Sequence, residues 1–237
     1  MTLVSHSKKF IFIHIYKTAG TAIIDRLIKY CCYKDRLAHD YYLTRKLAGV
    51  IDRTFGLWDY GRSWLTGYQK HEKAVALKQI LGSSDFDRYY KFAYVRNSWD
   101  WLASLYFYIK RTKAHVDYEI ANKLSFSEFL KYYLESNPPL QLDFLRDEEG
   151  KILVDRIGRF SNLYGDFAEI LSAIGIEGAE QIGRNLKIKN QSNNRVRDYK
   201  VYYDSASVEL VQEYFREDIE CFQFEFDTCD RPIYLSN

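Results

Sequence analysis

The sequence predicts an α/β fold in which a central parallel sheet is flanked by helices, with residues 1–237 forming one domain. Three observations carry that prediction. Phe10 to Ile15 and Tyr90 to Val95 are short, nearly continuous apolar runs, the pattern of strands buried on both faces of a parallel sheet. Each is followed by a short polar loop and then by apolar residues at helical spacing. A chain of 237 residues suits one α/β domain, whereas two small domains would each be marginal.

In the first unit, Lys17-Thr18-Ala19-Gly20-Thr21 leads into a helix whose apolar face is Ile23, Ile24, Leu27, Ile28 and Cys31. Residues 34–70 are aromatic and irregular, and Glu72 to Leu81 reads as a helix closed by Gly82. The second unit runs from the strand Tyr90 to Val95 through Arg96-Asn97-Ser98 into an aromatic-rich helix from Trp99 to Lys110. Ser125 and Glu128 form a capping-box pattern that opens a further helix, which Pro138-Pro139 ends. Residues 151–160 are expected as a short strand pair at the Asp-Glu-Glu-Gly turn. A helix follows from Ser161, then a basic polar loop over 184–200, then a helix over 205–220 running into a strand-like Phe222 to Phe226. Two strand-loop-helix units place two loops at the carboxyl edge of the sheet, where open α/β folds bind ligands.

Composition narrows the function classes. Lys+Arg 34 against Asp+Glu 32 gives a net charge of +2, so no broad field advertises a nucleic acid or a membrane surface. Aromatic residues make up 17% of the chain, enough large apolar rings to exclude disorder. The 4 cysteines include the adjacent Cys31 and Cys32 and show no C-x-x-C or Cys/His ligand spacing, so thiols in a reducing compartment are expected and no metal is called for. The amino-terminal apolar stretch is too short for a signal or a membrane span, and a soluble, cytoplasmic protein is the expectation.

The first loop carries the sharpest chemical signal. A small-residue turn opening a helix after a buried strand offers backbone N–H groups and the positive end of the helix dipole to a phosphate. Lys17 adds a full charge, and the hydroxyls of Thr18 and Thr21 add donors. The loop is P-loop-like without being a P-loop, because no glycine occurs between Phe10 and Tyr16 where G-x-x-x-x-G-K-[ST] requires one. On those residues alone, a tight turn with a solvated lysine is an equally good reading. In the second loop, Arg96 ends its strand and Ser104 lies about one and a half turns into the next helix. A guanidinium and a hydroxyl so placed can share a phosphate, although a strand-end arginine alone is more often an ordinary ion pair.

Taken in order and spacing, a strand with HIYKTAGT before a helix and a strand with VRNSWDWLASLY before a helix resemble the sulfotransferases that use 3'-phosphoadenosine-5'-phosphosulfate (PAPS). The likeness is to the carbohydrate branch, heparan sulfate 2-O-type enzymes and bacterial relatives. It continues through KHEKA at 70–74, IGRFSNLYGDF at 157–167 and the Asp218 to Phe226 tail. The resemblance implies PAPS as sulfuryl donor, adenosine 3',5'-bisphosphate (PAP) as product, and a hydroxyl acceptor, a glycan, as partner. It assigns the 5'-phosphosulfate to Lys17, Thr18, Ala19, Gly20, Thr21 and Ala22, the 3'-phosphate to Arg96 and Ser104, and a nucleotide contact to Ser192. His71 falls on the family's base position, and its expected place at the start of a helix disfavours imidazolium, as a proton acceptor requires. His14, inside the first strand, is expected to be a hydrogen-bonded core residue.

Three positions depart from the family pattern: Tyr16 and Ser98 stand where prolines are usual, and Trp101 where an arginine is usual. Two other classes share the same anion-binding features. A nucleotide-dependent phosphotransferase lacks support from upstream glycines or an acidic Mg²⁺ motif. A non-catalytic module for nucleic acid or anionic glycan is disfavoured by the near-zero net charge.

Overall fold

A computed structural model describes residues 2–36, 71–187, 196 and 198–227. Four strands form one sheet in the order β1 (Leu3–Ser5), β2 (Phe10–Ile13), β3 (Tyr90–Val95), β4 (Arg156–Arg159). β2 and β3 are parallel from Phe10↔Tyr90 to Ile13↔Ala93, and β3 and β4 from Phe92↔Arg156 to Val95↔Arg159. The edge strand β1 runs antiparallel to β2, joined by a turn in which Lys9 has φ 51°. The sheet is thus mostly rather than wholly parallel.

The two central strands read as continuous apolar runs because helices cover both faces. Successive side chains point to opposite sides of a strand. Ile11, Ile13, Ala93 and Val95 face one core with Trp101, Leu102, Phe129 and Phe215, while Phe10, Phe12, Phe92 and Tyr94 face the other with Ile23, Leu27, Phe167 and Leu171. Glycine at 158 follows from this packing: a Cβ there would stand 2.5 Å from the Tyr94 ring.

The helices are α1 (Gly20–Leu27), α2 (Ala74–Leu81), α3 (Ser83–Arg88), α4 (Ser98–Arg111), α5 (Tyr118–Lys123), α6 (Phe126–Glu135), α7 (Leu163–Ala173), α8 (Ala179–Arg184), α9 (Ser205–Tyr214) and α10 (Arg216–Phe222). The Ser125/Glu128 capping box forms as the sequence predicts. Several expectations are corrected. The Asp147–Gly150 turn is closed by a single antiparallel bridge, Arg146↔Ile152, and the residues after it join the central sheet as β4 instead of forming a strand pair. The helix expected over 205–220 is two helices that meet at Phe215, whose ring is buried against Trp101. Phe222 closes α10, and Phe224 packs on it without joining the sheet.

Candidate functional site

The carboxyl ends of β2, β3 and β4 lie side by side, and the chain leaves each in a loop. After β2, Lys17 and Ala19 adopt left-handed conformations at φ 64° and 67°. That backbone costs a residue with a Cβ about 1–2 kcal/mol, so the surroundings must impose it. Part of the restraint is Thr18, fully buried, whose Oγ1 donates to Ile15 O at 2.7 Å. The Thr18 hydroxyl, expected as a ligand donor, therefore fastens the turn.

Helix α1 starts at Gly20, and its first backward donations come from Ala22 and Ile23, both to Ala19 O. The N–H groups of Thr18, Ala19, Gly20 and Thr21 have no acceptor among the described residues, and they sit at the positive end of the helix dipole. Thr21 is exposed and Ala22 buried. Only glycine fits at 20, because a Cβ would stand 2.0 Å from the ring of buried His14.

After β3, buried Arg96 ties the strand ends together. Its Nε donates to Asp100 Oδ2 at 2.6 Å and its Nη1 to Lys17 O at 3.1 Å. The guanidinium lies 4.0 Å from the centre of the Phe160 ring, just past β4. Nη2 is left without an acceptor among the described residues. Asn97 caps α4 by accepting from Trp99 N. Farther along α4, half-buried Ser104 precedes Tyr108 by one turn, on the same helix face. The Lys17 ammonium sits 4.3 Å from the Tyr108 ring centre, which turns that face of α4 toward the first loop. Lys17, the 18–21 N–H groups, Arg96 and the Ser104 face thus come together.

His71 packs against His14 and Tyr16, which lead into the same loop. Its Nδ1 lies 2.8 Å from His14 O. A carbonyl only accepts, so Nδ1 carries the hydrogen and the neutral ring's lone pair is on Nε2. The His71 ring packs 4.6 Å from His14 and edge-on to Tyr16 at 5.6 Å. Helix α2 begins at Ala74 with Lys73 as N-cap, so His71 precedes the helix and its tautomer rests on the His14 carbonyl, not on a helix dipole. Two departures from the family pattern meet here: Trp101 Nε1 donates to Tyr16 O at 2.6 Å and the two rings lie 4.6 Å apart. The Tyr16 hydroxyl bonds that of Tyr133, and burial holds the Tyr16 phenol neutral, well above its ordinary range.

Ser192 and the aromatic stretch 37–70 lie outside the described residues. Side chains the sequence reading did not single out also touch these loops. Asp100 could have been found as the i+4 partner of Arg96 and Tyr108 as the i+4 neighbour of Ser104. Gln141, which bonds the Arg96 backbone, carries no local signal. Among the described residues no helix is long and apolar enough to cross a membrane, and no cluster of three or more His, Cys, Asp or Glu could hold a metal.

Comparison with known proteins agrees with the loops. A family model described as the sulfotransferase family matches residues 1–225. An uncharacterized protein of Archaeoglobus fulgidus is 35% identical over 106 residues, 44% of this chain and 82% of that protein. No solved structure matches the chain. A match that spans both loops, all four strands and the tail on which they rest places this chain in the sulfotransferase family, whose members transfer sulfuryl groups.

Proposed function

We propose that the chain transfers the sulfuryl group of PAPS to a hydroxyl of a carbohydrate acceptor, with His71 as general base. The observation that carries this reading is the bond from Arg96 Nη1 to Lys17 O. It joins a loop whose N–H groups have no acceptor among the described residues to an arginine whose Nη2 has none among them either, a pair of points on adjacent strand ends that suits an anion.

In this reading the N–H groups of Thr18, Ala19, Gly20 and Thr21, with Ala22 behind them, hold the 5'-phosphosulfate. Arg96 Nη2 and Ser104 hold the 3'-phosphate, and Ser192 adds a contact. Two anchors at opposite ends of the donor leave the S–O–P bridge little freedom, the positioning on which group transfer depends. His71 Nε2 takes the acceptor proton as the acceptor oxygen bonds to sulfur. The S–O bond to phosphate breaks in line, and PAP leaves with the electron pair. The Lys17 ammonium, moving off the Tyr108 ring, neutralises charge on that leaving oxygen.

Labelled sulfate from PAPS, offered to a panel of glycans, phenols and tyrosine peptides, tests the reading. Transfer to a glycan hydroxyl is expected. Transfer confined to phenols or peptides would overturn the acceptor class, and transfer to none with PAP also failing to bind would overturn the donor.

A further inference from the structure

Resting on the donor reading above, we propose that Gln141 and Asp218 are positioning residues for the nucleotide: Gln141 clamps the backbone of Arg96, and Asp218 holds Gln141 in place. The last β3–β4 pair is Val95↔Arg159, so the backbone of Arg96 lies beyond the ladder. Gln141, 45 residues away and fully buried, supplies what a neighbouring strand would. Its Oε1 accepts from Arg96 N at 2.9 Å, and its Nε2 donates to Arg96 O at 2.8 Å. Such a two-point contact fixes the residue in both translation and tilt.

Asp218, on α10 and also fully buried, completes the device. Its Oδ2 accepts from Gln141 N at 2.8 Å and its Oδ1 from Leu142 N at 2.9 Å, pinning the start of the turn that presents Gln141. Beside it, Asn97 Nδ2 donates to Glu225 O at 2.8 Å, a second tie from the same carboxyl-terminal segment to the Arg96 loop. A buried amide and a buried carboxyl are expensive to desolvate, and a core that needed only filling is better served by apolar side chains. Gln141 spends both ends of its amide on the Arg96 backbone, and Asp218 spends both oxygens on the backbone that presents Gln141. With its backbone clamped from one side and its guanidinium held by Asp100 and Lys17 O from the other, Arg96 can aim Nη2 in one direction.

Calorimetric titration with PAP separates this role from a purely structural one. Wild type is compared with Gln141→Met, which keeps the volume and removes both bonds, with Asp218→Asn, and with Phe167→Leu. Phe167 lies in the core on the opposite face of the sheet, so its variant loses stability without touching the clamp. The expected result is a PAP Kd raised about tenfold or more by Gln141→Met and less by Asp218→Asn, with Phe167→Leu unchanged. In turnover the two clamp variants, Gln141→Met and Asp218→Asn, raise KM for PAPS and leave kcat within about twofold. Should Gln141→Met fail to fold, Asp218→Asn carries the comparison, because the asparagine keeps one acceptor oxygen. Wild-type Kd in both clamp variants, or an equal loss in Phe167→Leu, overturns the positioning role alone. No PAP binding by wild type overturns the donor reading and the clamp with it.

Discussion

At the scale of single residues, the site is a matter of which atoms are already spent. Thr18 gives its hydroxyl to Ile15 O and Arg96 gives Nε to Asp100, whereas the 18–21 N–H groups and Arg96 Nη2 have no acceptor among the described residues. His71 Nδ1–H donates to His14 O, which puts the neutral ring's lone pair on Nε2. His71→Ala is expected to keep PAP affinity within about twofold of wild type and to lower transfer by about 10²–10⁴. Full transfer by that variant would remove His71 from the mechanism. The position of His71 was legible from the family motif. Its physical setting was not, because the carbonyl that orients it lies 57 residues away and helix α2 starts two residues later than its sequence suggests.

Secondary-structure elements were legible where the deciding signal is local. β2 and β3 are apolar runs, α6 carries its own capping box, and α1 shows its buried face as a periodicity. β4 was misread because Arg156-Ile-Gly-Arg159 is not an apolar strand: it lies at the sheet edge, where Arg156 pairs with Asp166 and Glu169. The break at Phe215 answers to long-range packing on Trp101, which no local pattern encodes. Helix α4 also carries a mismatch. Ser98, its first residue, is fully buried with a hydroxyl that has no partner among the described residues. An unmade buried bond costs about 1–3 kcal/mol. Proline is favoured at a first helical position, and Asn97 with ψ 126° already has the backbone that precedes one. Ser98→Pro is therefore expected to raise stability by about 0.5–1 kcal/mol, read as a higher urea midpoint at unchanged PAP affinity. A lower midpoint would show that the serine N–H or hydroxyl matters in the fold.

For the whole molecule, the net charge of +2 says nothing of the titratable groups that the fold buries. Asp218 is the clearest case. Burial pushes its carboxyl up to about 7 against two backbone N–H donors that hold it down, with Asp143 raising and Arg146 lowering it further. An unfolded aspartate titrates near 3.9. Between about pH 4 and 7 the unfolded chain gives up a proton that the folded chain keeps, so stability falls as pH rises through that window. The full contribution is on the order of 4 kcal/mol, present below about pH 4 and gone above about 7. Urea unfolding of Asp218→Asn across that range is expected to show a flatter profile than wild type, the other carboxylates being common to both. Parallel profiles would place the Asp218 carboxyl near its ordinary value.

The joined loops of Lys17 and Arg96 are expected to bind a PAPS-type nucleotide. Thermal unfolding with PAP, set beside ATP with Mg²⁺, tests it most directly. PAP is expected to raise Tm, ATP with Mg²⁺ to leave it unchanged, and both Lys17→Ala and Arg96→Ala to lose the rise. No rise with PAP in wild type, or an equal rise with ATP and Mg²⁺, would contradict it.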